Sequence, residues 1–204
     1  MKQLSSLLAF AFCFTTASQA FSAEGKDSGG SGGGESRQGF GLNLALGFPF
    51  LTQAGVDIYL FDNLGLSLGY GNFNAKFGGS TIDLVMPEVI LKWHPFGGVF
   101  FMGGGVGEEK LVSKATDSTS GQTAEIKVTA MTAIAKIGWM WGSNNGGFWY
   151  GLDLSYIRPS GAKTEITSSL PTTNETYKEV QDQAKRFGEM AYGNFTFARL
   201  GWMF

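Results

Sequence analysis

The sequence predicts an all-β fold, an eight-stranded antiparallel up-and-down transmembrane β-barrel. Three observations support this prediction. Apolar residues alternate with small or polar residues at a period of two in eight separate segments. Short and long connections alternate between most of these segments, as they do in membrane barrels. Of 204 residues, 31 are glycine and only 16% are charged, whereas an average soluble domain has about 25% charged residues.

The N-terminal residues read as an export signal followed by a linker. Lys2 precedes an apolar stretch, and Ser18-Gln19-Ala20 has the small residues of a cleavage site, so residues 1–20 are predicted to be a signal peptide. Residues 21–38 are rich in glycine and serine and predict a flexible segment. The barrel is then predicted to occupy residues 39–204. The single cysteine, Cys13, falls in the signal peptide, so the mature chain is expected to have no disulfide.

The first segment shows the alternation most clearly. Its apolar positions are Phe40, Leu42, Leu44, Leu46 and Phe48, and Gly41, Asn43, Ala45 and Gly47 lie between them. In lipid every backbone amide must be paired, so a spanning sheet has to close on itself. The apolar face is therefore expected to point outward into hydrocarbon. The other face is expected to point into a lumen so narrow that side chains fill it. In a soluble barrel or sandwich that second face would instead carry many solvated charges.

A small set of charged residues falls on the inward face. Buried charges must be paired, so these residues are the best candidates for a special site. The residue types leave three interpretations open: a salt-bridge network that fills the lumen, a narrow polar path for water, protons or small ions, and catalytic carboxylates. Arg158 is a further candidate near the outer end. The six predicted members are Asp57, Glu88, Lys92, Lys136, Asp153 and Arg199.

Outward aromatic residues are predicted to form two belts at the membrane interfaces. If the C-terminus lies in the periplasm, one belt contains Trp93, Phe100, Trp139, Trp141, Phe148, Tyr150, Trp202 and Phe204. The other belt contains Phe48, Tyr70, Tyr156 and Tyr192.

The connections carry further predictions. Residues 62–63, 94–98 and 142–147 are expected to form short periplasmic turns, and residues 72–81, 108–125 and 159–190 longer outer loops. The part from Glu109 to Glu125 reads as a mobile surface loop. Pro87 lies in the middle of a strand and suggests a β-bulge there.

The last loop has two halves. The stretch from Gly161 to Leu170 could extend its strand beyond the membrane. The stretch from Asn174 to Gly188 has apolar residues at helical spacing, with Asn174 suited to an N-cap and Gly188 to the position after the helix. It predicts a short amphipathic helix in the last extracellular loop, and an extended β-hairpin arm is the alternative.

His94 is the only histidine in the chain. Barrel enzymes that modify lipids need a histidine base beside a nucleophile at the outer leaflet, but His94 falls in a predicted periplasmic turn and no serine follows it closely. The chain is therefore not expected to be an enzyme. One histidine and one cysteine also leave no room for a His/Cys zinc cluster, and no cofactor is predicted.

The C-terminal stretch from Phe195 to Phe204 has a final phenylalanine with apolar residues at every second position before it. It resembles the assembly signal of bacterial outer-membrane proteins, and residues 40–204 resemble the small eight-stranded class typified by OmpA, OmpX and OmpW. The resemblance implies a bacterial outer-membrane location, insertion by the barrel assembly machinery, and contact with outer-membrane lipid and lipopolysaccharide.

Three kinds of function remain open at this point. The favoured one is a structural or surface-interaction role of a monomeric barrel. A narrow channel for small polar solutes or ions is the alternative, and a lipid-modifying enzyme comes last. The formal net charge of −2 is too weak to suggest a nucleic-acid partner.

Overall fold

The computed structural model describes residues 39–77, 80–116, 123–142, 146–168, 185–186 and 188–204. The predicted signal peptide and the Gly/Ser-rich segment lie outside the described residues. So does most of the predicted helix between Asn174 and Gly188, of which Lys185 and Arg186 are helical and Gly188 lies in a turn.

Eight antiparallel strands form a closed barrel, in which each strand pairs with the next and β8 pairs with β1. The predicted fold class is therefore confirmed. Among the described residues, no helix has the length and apolar character needed to cross a membrane. The strands are β1 Gly39–Phe48, β2 Thr52–Phe61, β3 Leu64–Phe77, β4 Ser80–Trp93, β5 Phe100–Thr116, β6 Thr123–Trp141, β7 Gly147–Ser168 and β8 Tyr192–Met203.

The two ends of the barrel differ. At one end, which we call the turn end, short links join β2 to β3, β4 to β5 and β6 to β7, as predicted. Gly39 and Phe204 lie at this end as well, and the Phe204 amide donates a hydrogen bond to the Phe40 carbonyl. At the opposite end, which we call the arm end, the strands have very unequal heights.

Five strands run past the others at the arm end. The last β2–β3 pair is Thr52 with Asn72, and the last β7–β8 pair is Ile157 with Tyr192. Beyond these pairs, residues 73–77, 80–84, 111–116, 123–128 and 158–168 continue as one sheet, which we call the arms. The level at which all eight strands pair is called the ring. The ring's low side consists of β8, β1 and β2, with a three-residue link from Pro49 to Leu51.

The arms correct two of the predicted loops. Residues 72–81 and 108–125 were expected to be loops, but β3 reaches Phe77, β4 begins at Ser80, β5 reaches Thr116 and β6 begins at Thr123. The expectation of a mobile loop from Glu109 to Glu125 is therefore wrong, apart from residues 117–122, which lie outside the described part. The expected extension of β7 beyond Gly161 is confirmed as far as Ser168.

The two faces of the sheet exchange polarity between the ring and the arms. In the ring, outward positions of β1 such as Leu42, Leu44 and Leu46 are exposed and apolar, and inward Asn43 and Asp57 are buried and polar. In the arms, we compare two rows of residues that pair across the five strands, one on each face. The outward row is polar except for Val112, and the inward row is apolar except for Thr164. The outward row contains Asn74, Asp83, Val112, Lys127 and Glu165, and the inward row contains Phe73, Leu84, Leu111, Val128 and Thr164.

A bulge changes the side-chain phase in β8. Leu46 pairs with Ala198 and the next residue, Gly47, pairs with Thr196, so Phe197 is the extra residue. Strict alternation back from Phe204 would put Thr196 on the outward face, but the bulge turns it inward and it is fully buried inside the barrel. The predicted bulge at Pro87 is wrong, because the register between β4 and β5 is the same on both sides of it. The ladder instead omits the pairing of Met86 and Pro87 with β5.

Candidate functional site

The six charged residues singled out from the sequence lie together in the lumen, in what we call the charged layer. Lys92 Nζ lies 2.6 Å from Asp57 Oδ1, and Lys136 Nζ lies 2.7 Å from Glu88 Oε1. Lys136 Nζ also lies 3.9 Å from Asp153 Oδ1. The layer contains three cations and three carboxylates, so its formal charge is zero.

Arg199 links this layer to neutral polar side chains. Its Nε donates to Asp153 Oδ2 at 2.9 Å, and one terminal nitrogen donates to Asn43 Oδ1 at 2.8 Å. The other terminal nitrogen donates to Gln53 Oε1 at 3.2 Å. Asn43 in turn donates to Asp57 Oδ2 at 2.9 Å. The hydrogen bonds therefore run without interruption from Lys92 through Asp57 and Asn43 to Arg199 and Asp153.

Burial makes this pairing necessary. Asp57 is fully buried, and the other two carboxylates and three cations are also shielded from solvent. An unpaired ion in such surroundings carries a large desolvation penalty, which good pairing geometry offsets. Glycine makes room for the long side chains: a Cβ on Gly69 would stand 2.9 Å from Glu88 Cγ.

An apolar cluster, the turn-end plug, closes the lumen at the turn end. It consists of Tyr59, Phe101, Met140, Trp149 and Met203, and each is at most 3% exposed. His94 packs against it with no exposed surface: its ring contacts those of Tyr59 and Phe101. The Tyr59 hydroxyl lies 3.0 Å from His94 Nε2, and His94 Nδ1 lies 3.2 Å from the Gly98 carbonyl oxygen. Lys92 Nζ lies 5.3 Å from the Phe101 ring centre, which joins this plug to the charged layer.

A second cluster, the arm-end plug, closes the other side of the charged layer. Phe50 reaches into the barrel from the link between β1 and β2, and Tyr192 packs over it with ring centres 6.4 Å apart. The Tyr192 hydroxyl donates to Glu109 Oε2 at 2.9 Å. The buried members of the plug are Phe50, Leu84, Met86, Ile90, Ile134 and Ile157. The lumen is thus a polar layer between two apolar plugs.

Two site predictions are corrected by the structure. Tyr192 was placed in an outward aromatic belt, but it points inward to Glu109 and Phe50. Arg158 was a candidate for the inward set, but it is exposed on the outward face opposite Ala133. Tyr192 shares the phase of Thr196, which the bulge at Phe197 turns inward. Arg158 keeps the outward phase of Leu154 and Tyr156.

The eight aromatic residues predicted for the belt at this end lie on the outward face. Trp141 and Tyr150 stack with ring centres 5.2 Å apart, and Trp139 packs edge-on against Phe100 at 5.7 Å. Phe204 stacks on Phe40 at 5.0 Å. Trp93 and Trp202 are about half exposed. Whether these rings meet a bilayer interface stays a prediction.

Sequence reasoning missed several partners of the charged layer. Asn43 and Gln53 lie at inward positions and carry amides, so phase and residue type could have identified them. Thr196, which accepts a hydrogen bond from Gln53 Nε2 at 3.2 Å, could not be found, because the bulge at Phe197 reverses its side. Phe50 lies in a link, where alternation gives no information about direction.

No family model matches the chain, and no curated protein matches it. Among solved structures, CarO2 of Acinetobacter baumannii is similar at 10% identity with a TM-score of 0.45, over 82% of this chain and 99% of that one. CarO of the same organism is similar at 13% identity with a TM-score of 0.42, over 80% and 97% of the two chains. At these values nothing about function follows from the similarity.

Proposed function

We propose that this chain is a bacterial outer-membrane protein. Its closed, side-chain-filled barrel anchors the arms at the cell surface, and its role there is structural or interactive. The observation that carries this proposal is the exchange of polarity between ring and arms. The proposed structural or interactive role needs neither a catalytic centre nor a cofactor.

The exchange of polarity is what a sheet in two solvents requires. A soluble barrel has one water-exposed face throughout, so its exposed positions are polar along the whole strand. Here Leu44 is 69% exposed in the ring, while the arms expose Lys127 and Glu165 on the same side of the sheet. Hydrocarbon around the ring and water around the arms account for both patterns.

The filled lumen favours an anchoring role over conduction. The two plugs block both sides of the charged layer, and every charge in that layer has an oppositely charged partner. A hydrated ion would have to displace Phe50 or Trp149, which are each 1% exposed. We therefore expect the barrel to be closed to solutes.

The position of His94 favours a non-enzymatic role. A general base must reach the proton that it abstracts. The His94 ring has no exposed surface, and the turn-end plug covers it. A lipid substrate at the arm end would lie on the far side of the charged layer.

Site-directed labelling tests location and orientation together. Thr167 is exposed on an arm, and Asn63 is exposed in a turn-end link. We expect a membrane-impermeant maleimide to label Thr167→Cys on intact Gram-negative cells, and Asn63→Cys only after the outer membrane is permeabilised. A Cys13→Ser background serves as the control for the chain's own cysteine. Labelling of both sites on intact cells, or of neither, would contradict the proposed placement.

Planar-bilayer recording tests the closed lumen. We expect the refolded barrel to give no discrete conductance steps. As a matched positive control, Trp149→Gly and Phe50→Gly together remove the largest side chain of each plug. Steady conductance from the unmodified barrel would favour the narrow-channel alternative instead.

A further inference from the structure

A small cavity lies between the charged layer and the arm-end plug. Its volume is about 10 Å³, and roughly 10–15 Å³ is the smallest cavity that holds one water molecule. The cavity therefore fits one water and no larger ligand. Its polar lining comes from Gln53, Glu88, Asn194 and Arg199, and its apolar lining includes Phe50 and Met86.

Asn194 brings an acceptor to this cavity. The residue is 3% exposed, and its Oδ1 atom has no hydrogen-bond partner among the residues that the structure describes. A buried carbonyl oxygen without a donor is costly, and native proteins commonly satisfy such atoms with an ordered water. The residue lies opposite Ser155, its cross-strand partner on β7.

Glu88 and Arg199 bring the complementary groups. The Glu88 carboxylate accepts from Lys136 through Oε1, and a carboxylate has a second oxygen that can accept. Arg199 has five N–H donors, of which three donate to Asp153, Asn43 and Gln53. The cavity thus has two acceptors, Asn194 Oδ1 and the Glu88 carboxylate, and one charged donor, the Arg199 guanidinium. One water molecule can donate to both acceptors and accept from the donor.

We propose that this cavity is a binding site for one water molecule. The water donates one hydrogen bond to Asn194 Oδ1 and one to the Glu88 carboxylate, and it accepts one from the Arg199 guanidinium. Through this water the Glu88–Lys136 pair is connected to Arg199. The charged layer is therefore one hydrogen-bonded unit that includes a solvent molecule as a structural part.

A high-resolution crystal structure of the refolded barrel tests this site. We expect one density peak in the cavity at about 3 Å from Asn194 Oδ1 and from an Arg199 nitrogen. An empty cavity, or a peak that contacts only apolar side chains, would overturn the proposal. Because the site lies inside the ring, its failure would leave the proposed membrane location untouched.

Two substitutions at the same position sharpen the test. Asn194→Asp keeps an acceptor oxygen in place, and we expect the water peak to remain. Asn194→Leu removes the acceptor and fills the space, so we expect the peak to be lost. A peak that persists in Asn194→Leu would show that Asn194 does not hold the water. If that variant fails to fold, the unmodified barrel and Asn194→Asp still decide the outcome. Water-to-protein cross-relaxation is then measured by NMR on both proteins in detergent micelles. The absence of a long-lived water near Asn194 would refute the site.

Discussion

The ring and the arms are built from the same strands but place their apolar residues on opposite faces. In the ring, large apolar side chains such as Leu44 cover the outside and charges such as Asp57 lie inside. In the arms, Val128 is buried inside and Lys127 is exposed outside. The backbone geometry does not require this difference, since the register continues smoothly from one region to the other for most strand pairs. Under the proposed placement, hydrocarbon around the ring and water around the arms account for the difference.

The largest expected effect concerns the inside of the ring. Replacing Asp57 by leucine leaves Lys92 charged and buried without its partner, which costs about 3–5 kcal/mol in buried pairs of this kind. Guanidinium unfolding of the barrel in lipid vesicles measures the loss. Glu165→Gln, which breaks an exposed arm pair at 3.5 Å, is the matched control with an expected change of about 0–1 kcal/mol.

A double variant separates pairing from packing in the same layer. Asp57→Leu combined with Lys92→Met removes both charges. Most of the unfolding free energy that Asp57→Leu loses should therefore be recovered in the double variant. If the double variant is as unstable as the single one, the charge pair is not what stabilises this part of the lumen.

The next largest effect concerns the outside of the ring. An arginine facing hydrocarbon near the bilayer midplane costs about 2–4 kcal/mol in membrane barrels. We expect Leu44→Arg to lose this amount of unfolding free energy in vesicles. Thr167→Arg, on the same face of the arms and opposite Glu125, should change it by no more than about 0.5 kcal/mol. Equal effects at the two sites would mean that both regions meet the same solvent.

The smallest effect concerns the inside of the arms. Val128 is 2% exposed, and burying an amide there without partners costs about 1–3 kcal/mol. Val128→Asn should therefore speed hydrogen exchange in β5, β6 and β7 at the arm end and leave the ring unchanged. Lys127→Asn, one residue away on the outward, exposed face, is the control. Faster exchange throughout the ring would contradict the separation of the two regions.

The strand count, order and ring phases could be predicted because the alternation in the ring is strict, which is the pattern expected of a sheet that faces lipid. A residue such as Leu44 must be apolar when it faces hydrocarbon, so the alternation is strong and easily recognised. The arms carry a weaker signal, because water tolerates many residues on one face and their inward face is only partly apolar. The run from Glu109 to Glu125 therefore looked like a loop although most of it is strand.

The inward placement of the six charged residues follows from alternation, but their pairing does not. Asp57 and Lys92 are 35 positions apart, and their contact depends on strand tilt and on the narrowness of the lumen. The bulge at Phe197 could not be predicted from the alternation either, because Phe195 and Phe197 suit an outward position as well as Ala198 does. A single extra residue there moves Thr196 into the lumen and brings Arg199 opposite Gly151.

The meeting of Gly39 and Phe204 at the turn end has a consequence for protein engineering. A short peptide from Phe204 back to Gly39 would make the barrel circular without moving any strand, because β1 and β8 are already paired. New ends could then be opened between Asp62 and Asn63, which are exposed in the link from β2 to β3, since circular permutation succeeds at exposed sites. In that permuted chain Phe204 would no longer be terminal. Whether the permuted barrel still inserts into the outer membrane would show if assembly needs a free carboxyl-terminal phenylalanine or only the strand that contains it.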